Sequence, residues 1–271
     1  MNDYRITLDE AYQIKAEQVR MTNYKRNSPD YSSYAMQYAQ SRPGYPEKLF
    51  VYLASLVEQH ELAWDCATGN GQAALSLTKF FKKIIATDIS SDQINHAIKH
   101  QQIEYKVCSA EQSGLDNNSV DLVTIASAIH WFNLDRFYNE VQRIIKSGGI
   151  LAVWTYHVGY VEPPFDKLFL HFYTDILSPY FGARAKLVDE KYSKINLPGK
   201  HIDVTDFYVS ANWKLFNMLN FINSWSGTQQ YIKENEKNPA DLISKELEQI
   251  WGDPEKIHTI RWRLFIKISR L

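Results

Sequence analysis

The chain contains the stretch Leu62-Ala63-Trp64-Asp65-Cys66-Ala67-Thr68-Gly69-Asn70-Gly71, in which a short apolar run ends at an acid and leads into a loop of small residues. This order predicts a β-strand that turns into a helix around a bound cofactor. Gly69 and Gly71 let the backbone turn tightly and approach a ligand closely, where a Cβ atom would collide. A helix that begins near Gln72 would point its N-terminal amides at the same place. The first interpretation is a nucleotide-like cofactor.

Two cofactor chemistries fit this loop. Gly69, Gly71 and Ala74 satisfy the dinucleotide pattern G-x-G-x-x-A, and Asp88 ends the next apolar run at about the spacing of a ribose-binding acid. Asp65 favours a different cofactor, because its carboxylate would repel a pyrophosphate and attract the ammonium group of a methionine moiety. S-adenosylmethionine (SAM) carries an ammonium group and no phosphate. The loop therefore favours SAM, and a nicotinamide-dependent (NAD) oxidoreductase is the first alternative.

The same loop resembles that of the class I SAM-dependent methyltransferases, which reads acid-x-Gly-x-Gly-x-Gly. Residues 65–71 match this pattern with one departure, since Ala67 stands where the first glycine would be. The departure is mild if Ala67 keeps a negative φ. Four further stretches continue the match: the second strand with its ribose acid at 83–90, the adenine-side loop at 109–111, the fourth strand at 119–124 and the turn into the fifth strand at 146–152.

The resemblance can be narrowed to one branch of the family. Residues 38–46, 128–132 and 223–226 are similar to the trans-aconitate methyltransferase-like and plant embryo-abundant-like proteins, within the methyltransferase type 11 family. The similarity extends from about residue 34 to the C-terminus. It implies a small-molecule acceptor and O-methylation of a carboxylate.

The resemblance also implies which residues bind the cofactor. Asp88, followed by Ile89, would accept hydrogen bonds from both ribose hydroxyls, and Asp65 would lie near the methionine ammonium group. Small residues after the fourth strand would leave room for the methyl group to travel. The other members of the implied cofactor site are Ala67, Thr68, Gly69, Gly71, Gln72, Ser109, Ala110, Glu111, Ala126 and Ser127.

Three residues are candidates for the catalytic site. His130 and Trp131 follow the fourth strand at the lip of the expected pocket, where His130 would orient the acceptor, act as a general base or simply pack against the backbone. Arg42 lies in the stiff segment Arg42-Pro43-Gly44-Tyr45-Pro46, and a guanidinium suits bidentate recognition of a carboxylate. A carboxylate acceptor needs no general base, which agrees with the lack of a clear catalytic dyad in the sequence. Weaker candidates for the acceptor-binding cation are Arg184, Lys191 and Arg261.

The whole chain has the composition of a soluble globular enzyme, with 271 residues of which 45% are hydrophobic and 23% are charged. Its 30 basic and 31 acidic residues give no overall electrostatic field that would attract a polyanion, so nucleic acid is disfavoured as an obligatory partner.

No apolar run approaches the roughly 18 residues of a membrane span, and the charged N-terminus does not resemble a signal peptide. Cys66 and Cys108 fall at the ends of strands that are not expected to be neighbours, so no disulfide is expected. We expect a cytoplasmic protein with no membrane partner and no metal, and the sequence leaves its oligomeric state open.

Strands and helices alternate from Pro46 to Tyr156, which predicts βαβ units and a mostly parallel sheet. We therefore expect an α/β fold with a doubly wound, seven-stranded Rossmann-like sheet, an antiparallel C-terminal strand and a helical cap. The expected divisions are a tail or helix over 1–30, a SAM-binding core over 31–157, cap insertions over 158–203 and 214–255, and strands at 204–213 and 256–271. A protein of this fold that binds SAM without catalysis is the second alternative.

Overall fold

A computed structural model describes residues 42–271 of the chain. The tail or helix expected over 1–30 and residues 31–41 of the expected core lie outside this range. Within it the chain forms eight strands: β1 (Leu62–Cys66), β2 (Lys83–Asp88), β3 (Ile103–Val107), β4 (Val120–Ala126), β5 (Ile145–Tyr156), β6 (Lys200–Ile202), β7 (Phe207–Trp213) and β8 (His258–Arg270).

The strands join in one sheet with the order β3-β2-β1-β4-β5-β8-β6, and β7 also pairs with β8. The pairs among β1 to β5 are all parallel, whereas β8 is antiparallel to β5, β6 and β7. In register, Val123 of β4 lies between Trp64 of β1 and Leu151 of β5. The doubly wound α/β architecture with an antiparallel C-terminal strand is therefore confirmed.

Within residues 42–271 the sheet has eight strands, one more than the sequence predicts. The additional strand, β6, lies within the interval 158–203, for which only a helical cap is expected. Its three residues pair with the end of β8, and Gly199 precedes it with a φ of +90°. A strand of this length contains too few residues for an alternating apolar pattern, so the sequence carries no signal for it.

Both faces of the central strands are buried, and consecutive residues contribute to opposite faces. Leu122 belongs to the core that also contains helix α1 (Glu47–Ser55) and helix α2 (Gln72–Leu77), whereas Val123 belongs to the core beneath helix α4 (Leu134–Ile144). A short helix, α3 (Ser91–Asn95), connects β2 to β3. Burial on both faces is typical of parallel sheets that are covered by βαβ crossovers.

The cap comprises five helices: α5 (Pro163–His171), α6 (Ala185–Asp189), α7 (Leu215–Asn223), α8 (Ser226–Asn235) and α9 (Ser244–Trp251). The chain continues from α5 through a π-helical segment, Phe172–Leu177, and a 3-10 turn, Ser178–Tyr180. Aromatic contacts hold these elements together, since the Trp225 ring contacts the rings of Phe169, Phe172, Tyr173 and Phe221. The apolar core runs without a break from the cap to Trp154 and Trp262 in the sheet.

Of the helices between residues 42 and 271, none is both long enough and apolar enough to cross a membrane.

Candidate functional site

The loop from β1 to α2 turns through alternating left-handed residues. Gly69 has a φ of +57° and Gly71 a φ of +87°. A Cβ atom on Gly71 would also collide with the hydroxyl group of Tyr105. The Thr68 amide donates to the Thr87 carbonyl at 2.8 Å, which ties the loop to the end of β2. The expectation that both glycines are needed for a tight turn is supported by this geometry.

Ala67 continues the same alternation, with a φ of +55°. The condition under which the departure from glycine would be mild, a negative φ at Ala67, is therefore not met. A left-handed conformation costs an L-residue about 1–2 kcal/mol, because Cβ approaches the following carbonyl oxygen. The alternation at 67, 69 and 71 explains why the pattern of the class I methyltransferases has glycine at all three positions, and this chain carries a strained residue at the first of them.

Asp65, at the end of β1, is buried beneath this loop. Its Oδ2 accepts from the Thr68 hydroxyl at 2.5 Å, and its Oδ1 accepts from the Thr124 hydroxyl at 2.7 Å. Burial raises the pKa of Asp65 to about 6, although these hydroxyls act in the opposite direction. The carboxylate therefore joins β1, the loop and β4, while its contact with a ligand ammonium group stays a prediction.

Asp88, at the end of β2, bridges two loops. Its Oδ2 accepts from the Gly69 amide and its Oδ1 accepts from the Ser90 amide, each at 2.9 Å. Burial raises its pKa. An ionised carboxylate has about four acceptor positions, so Asp88 can also accept from a ribose hydroxyl. The next residue, Ile89, is 78% exposed, so it offers an apolar surface beside the acid.

The expected adenine-side loop lies next to Asp88, because the Cys108 amide donates to the Asp88 carbonyl at 3.1 Å. Ala110 is buried and Ser109 is partly buried. The Glu111 carboxylate accepts from the Asn133 amide at 2.8 Å. Glu111 thus connects this loop to the start of α4, a structural role that its position in the sequence does not reveal.

A cavity of about 460 Å³ opens over the glycine loop. It brings together five of the expected cofactor residues and the catalytic candidate Arg42, and it adds five residues that are not among the expected site residues. The expected residues in its lining are Arg42, Ala67, Thr68, Gly69, Gln72 and Ala126, and the additional ones are Pro43, Tyr45, Asn70, Ala73 and Tyr156.

A second cleft, of about 740 Å³, lies between the sheet and the cap. Arg42 and Tyr156 line both spaces, so the two are contiguous. Ala126 lines the first cavity and its neighbour Ser127, with a φ of +54°, lines the second. The end of β4 is therefore the boundary between the two. Other residues in the lining of this acceptor cleft are His130, Trp131, Thr155, His157, Tyr173, Phe181, Phe221 and Trp225.

Among the four candidate cations, all within residues 42–271, Arg42 is the one that lines these spaces. Its Nη2 donates to the Ser224 carbonyl at 3.4 Å, and its guanidinium lies over the Phe221 ring. Arg184 donates to the Trp131 carbonyl at the lip of the cleft. The other two lie elsewhere: Lys191 over the Phe265 ring, and Arg261 in β8.

His130 is a packed imidazole. Its Nδ1 lies 2.7 Å from the hydroxyl oxygen of Tyr192, which is fully buried. Burial lowers the pKa of His130 to about 3, and the Arg184 charge adds to this effect. An imidazole with so low a pKa is neutral near pH 7 and is a weak base. Of the alternatives for this residue, the geometry favours packing and orientation over proton abstraction.

The cap contributes an acid–imidazole pair that spacing in the sequence does not reveal. His157 Nε2 lies 3.2 Å from Asp189 Oδ1, and the Tyr173 hydroxyl donates to the same oxygen at 2.7 Å. His157 and Tyr173 both line the acceptor cleft. The sequence shows no clear catalytic dyad, and this acid–imidazole contact is formed only by the fold.

The residues around the loop fit SAM better than a dinucleotide. Asp65 and Asp88 are close enough for their charges to repel each other, and both contact the loop or its neighbours. Two carboxylates disfavour a pyrophosphate at this place, whereas an ammonium group and two ribose hydroxyls are complementary to them.

Comparisons with known proteins agree with this fit. A family model described as "Methyltransferase domain" matches residues 64–153. A protein of Dictyostelium discoideum named "Putative methyltransferase" is 32% identical over 221 residues, which cover 80% of this chain and 84% of that protein. A Saccharomyces cerevisiae protein named "Probable S-adenosylmethionine-dependent methyltransferase" is 25% identical over 277 residues, covering 86% of this chain and 94% of that protein.

A solved structure is also similar to the chain over most of its length. This structure, titled a "Putative Type II Methyltransferase" from Anaeromyxobacter dehalogenans, superposes with a TM-score of 0.79 at 30% identity, and the match covers 84% of this chain and 97% of that chain. The region that the family model matches runs from β1 to β5, which includes the glycine loop and the ends of β2 and β4. The chain therefore belongs to the SAM-dependent methyltransferases, and SAM is its cofactor.

Proposed function

We propose that this methyltransferase acts on a carboxylate of a small organic acid and releases a methyl ester. The motifs that resemble the trans-aconitate methyltransferase-like branch support this acceptor class. The observation that carries the proposal is the position of Arg42, which lines both the cofactor cavity and the acceptor cleft. A guanidinium at this junction would bind an acceptor carboxylate and direct it toward the methyl donor.

Different residues bind the cofactor, leave space for the methyl group and exclude water. The left-handed loop, Asp65 and Asp88 hold the cofactor, which supplies a methyl group on a positively charged sulfur when it is bound. Ala126 and Ser127 leave space between the two cavities for the transfer. The aromatic side chains of the cap exclude water from the acceptor cleft. Alignment of this kind can lower a barrier by about 7–11 kcal/mol in favourable cases.

A carboxylate acceptor also suits the electrostatics of the cleft. Carboxylic acids are already deprotonated near neutral pH, so their methylation requires no base. His130, neutral and bonded to Tyr192, would then orient the acceptor together with Trp131. Arg42 would supply the only charge that the reaction needs on the acceptor side.

The test is turnover of a panel of mono-, di- and tricarboxylic acids with methyl-labelled SAM, analysed by mass spectrometry before and after mild alkaline hydrolysis. The proposal predicts a labelled product that alkali converts back to the free acid. A labelled product that resists alkali would indicate a different acceptor atom. Tight binding of SAM in calorimetry, with no product from a metabolite extract, would favour the non-catalytic alternative.

A further inference from the structure

A continuous series of aromatic rings forms one wall of the acceptor cleft. The series begins at Phe221, whose ring centroid lies 5.1 Å from the Arg42 guanidinium carbon. From there the ring centroids follow at 5.4 Å to Trp225, at 5.7 Å to Tyr173 and at 4.9 Å to Phe181. All four rings line the cleft. This aromatic wall therefore has a guanidinium at one end and extends away from it through four side chains.

Aliphatic side chains add to the apolar lining of the same cleft. Ala185 and Val188 of α6 both line it, and their spacing of three residues places them on one face of the helix. Val158, two residues after β5, is a third aliphatic member of the lining. An acceptor in the cleft would thus contact apolar groups of the sheet edge and of α6 as well as the aromatic wall.

Polar side chains lie at the end of the cleft that adjoins the cofactor cavity. The hydroxyl oxygens of Ser127 and Thr155 are 3.5 Å apart, and Ser127 follows Ala126, which lines the cofactor cavity. The Arg42 guanidinium lines both spaces. The cleft therefore combines a polar, positively charged end near the methyl donor with an apolar wall that begins there.

We propose that the acceptor is a monocarboxylic acid with an extended apolar body, whose carboxylate lies at Arg42 and whose body lies along the aromatic wall. The inference rests on the proposed function, because it concerns the same carboxylate and the same cleft, and it adds the class of acid. Fatty acids of medium length and aryl acids such as cinnamate belong to this class. Acids that carry a second or third carboxylate on the body do not.

The charges of the cleft disfavour a second carboxylate on the acceptor. Among the described residues that line the cleft, Arg42 is the only arginine and there is no lysine. His130 is neutral, because burial lowers its pKa to about 3. The pair of His157 and Asp189 is neutral or negative in either charge state of the ring, so it offers no net positive charge. An ionised carboxylate that is buried without a cation is strongly unfavourable.

An apolar body, in contrast, gains affinity from this wall. Burial of one methylene group favours binding by roughly fourfold, and an aromatic body adds edge-to-face or stacked contacts with the rings. The volume of the cleft, about 740 Å³, lies within the range of about 300–1,000 Å³ that is typical of pockets for small ligands. The cleft can therefore hold a body much longer than that of acetate.

The first experiment compares acids that differ only in a terminal carboxylate, with methyl-labelled SAM and wild-type protein. The pairs are octanoate with suberate and cinnamate with 4-carboxycinnamate, and trans-aconitate represents the tricarboxylates. Each monocarboxylate should exceed its partner in kcat/KM by roughly 100-fold or more, because the additional charge would be buried without a partner. From butyrate to octanoate, kcat/KM should rise by up to about fourfold for each methylene.

The second experiment removes the ring at the far end of the aromatic wall. Phe181 is only partly buried, and Phe181→Ala should lower the ratio of kcat/KM for octanoate to that for butyrate by at least about tenfold. Tyr231→Ala is the matched control. Tyr231 is also a partly buried aromatic residue of the cap, with its ring 4.7 Å from the Tyr180 ring, but it does not line either cavity. Its replacement should leave the ratio unchanged.

A third measurement needs no turnover and no variant. Calorimetry of the wild-type protein with S-adenosylhomocysteine should give a heat-capacity change of acid binding that becomes more negative from butyrate to octanoate, the mark of apolar burial.

Three results would overturn the inference: equal kcat/KM within either matched pair, no rise with chain length, or an unchanged ratio in Phe181→Ala. Ester from di- or tricarboxylic acids alone would also overturn it and would leave the proposed function intact. If no acid of any class gave an ester, the proposed function itself would be contradicted.

Discussion

The guanidinium Nη1 of Arg42 lies 3.3 Å from the hydroxyl oxygen of Tyr156, and these two side chains line both the cofactor cavity and the acceptor cleft. Tyr156 is the last residue of β5, so the contact fixes the cation at the C-terminal edge of the parallel sheet. Open α/β sheets bind their ligands at this edge. The Arg42 guanidinium can therefore contact an acceptor in the cleft while it stays bonded to Tyr156.

Replacement of Arg42 should affect the acceptor more than the cofactor. A charge-assisted hydrogen bond contributes about 1.5–3 kcal/mol, so Arg42→Ala should raise the KM of the acid acceptor by roughly 10–100-fold. Arg42→Lys should recover part of this loss, because it keeps the charge but not the bidentate geometry. The measurement is steady-state kinetics, with SAM binding followed by calorimetry.

Arg261→Ala serves as the control, because Arg261 is an exposed residue of β8. It should leave both constants unchanged. An unchanged acceptor KM in Arg42→Ala would remove the basis for the proposed carboxylate site.

The affinity for SAM should depend on pH through Asp65. The pKa of this carboxyl is about 6 in the protein without ligand, because the group is buried. A methionine ammonium group beside it would favour the charged form and lower this pKa, so SAM binding would release a proton below pH 6. By linkage, the affinity should rise about tenfold from pH 5 to pH 7.

Asp65→Asn removes the titrating group and should abolish this rise. Calorimetry at several pH values, in buffers of different ionisation enthalpy, measures both the affinity and the proton release. An affinity of wild type that does not change between pH 5 and pH 7 would show that the ammonium group lies elsewhere.

Asp88→Ala should weaken SAM binding by about 1.5–3 kcal/mol, since it removes charged acceptors for the ribose hydroxyls. The variant also frees the amides of Gly69 and Ser90, which the carboxylate now holds. Asp88→Asn keeps acceptor capacity and should lose less affinity. Circular dichroism should show an intact fold in both variants, and equal affinity of Asp88→Ala and wild type would contradict the assignment of the ribose site.

Ala67→Gly should stabilise the protein. The substitution removes about 1–2 kcal/mol of left-handed strain, and the greater chain entropy of glycine when unfolded offsets about 0.5–1 kcal/mol of this gain. Urea unfolding should therefore show a rise of about 0.5–1 kcal/mol in the free energy of unfolding.

Ala73→Gly, in the helix that follows the loop, is the matched control and should lower the free energy of unfolding by about 0.5–1 kcal/mol. If both glycine variants are destabilised equally, the strain assigned to Ala67 is absent.

The parallel half of the sheet could be predicted from the sequence because each strand and each helix there leaves a local pattern. Short apolar runs, 62–64 and 84–86, lead to Asp65 and Asp88, and glycines mark the turn between them. Each of these patterns is formed by residues that are close in sequence, so it can be recognised without knowledge of the tertiary structure. The acid beside the loop, which favours SAM over a dinucleotide, is also a local feature of this kind.

The features that could not be predicted depend on packing between segments that are far apart in the sequence. The left-handed φ of Ala67 accompanies a hydrogen bond from the next amide to the Thr87 carbonyl, twenty positions along the chain from Ala67. The pair His157 and Asp189 is assembled by a helix of the cap, whose position the sequence does not specify. Strand β6 is too short to leave a periodic pattern. The sequence indicates that Asp65 is a functional acid, but not that it accepts from two threonine hydroxyls.

The most direct test of the account is a crystal structure of the protein with S-adenosylhomocysteine and an organic acid that it methylates. The account predicts the ribose hydroxyls on Asp88, and an acceptor carboxylate within about 3 Å of the Arg42 guanidinium, on the Ser127 side of the cleft. An acid bound away from Arg42, or a homocysteine moiety outside the cavity over Gly69 and Gly71, would contradict it.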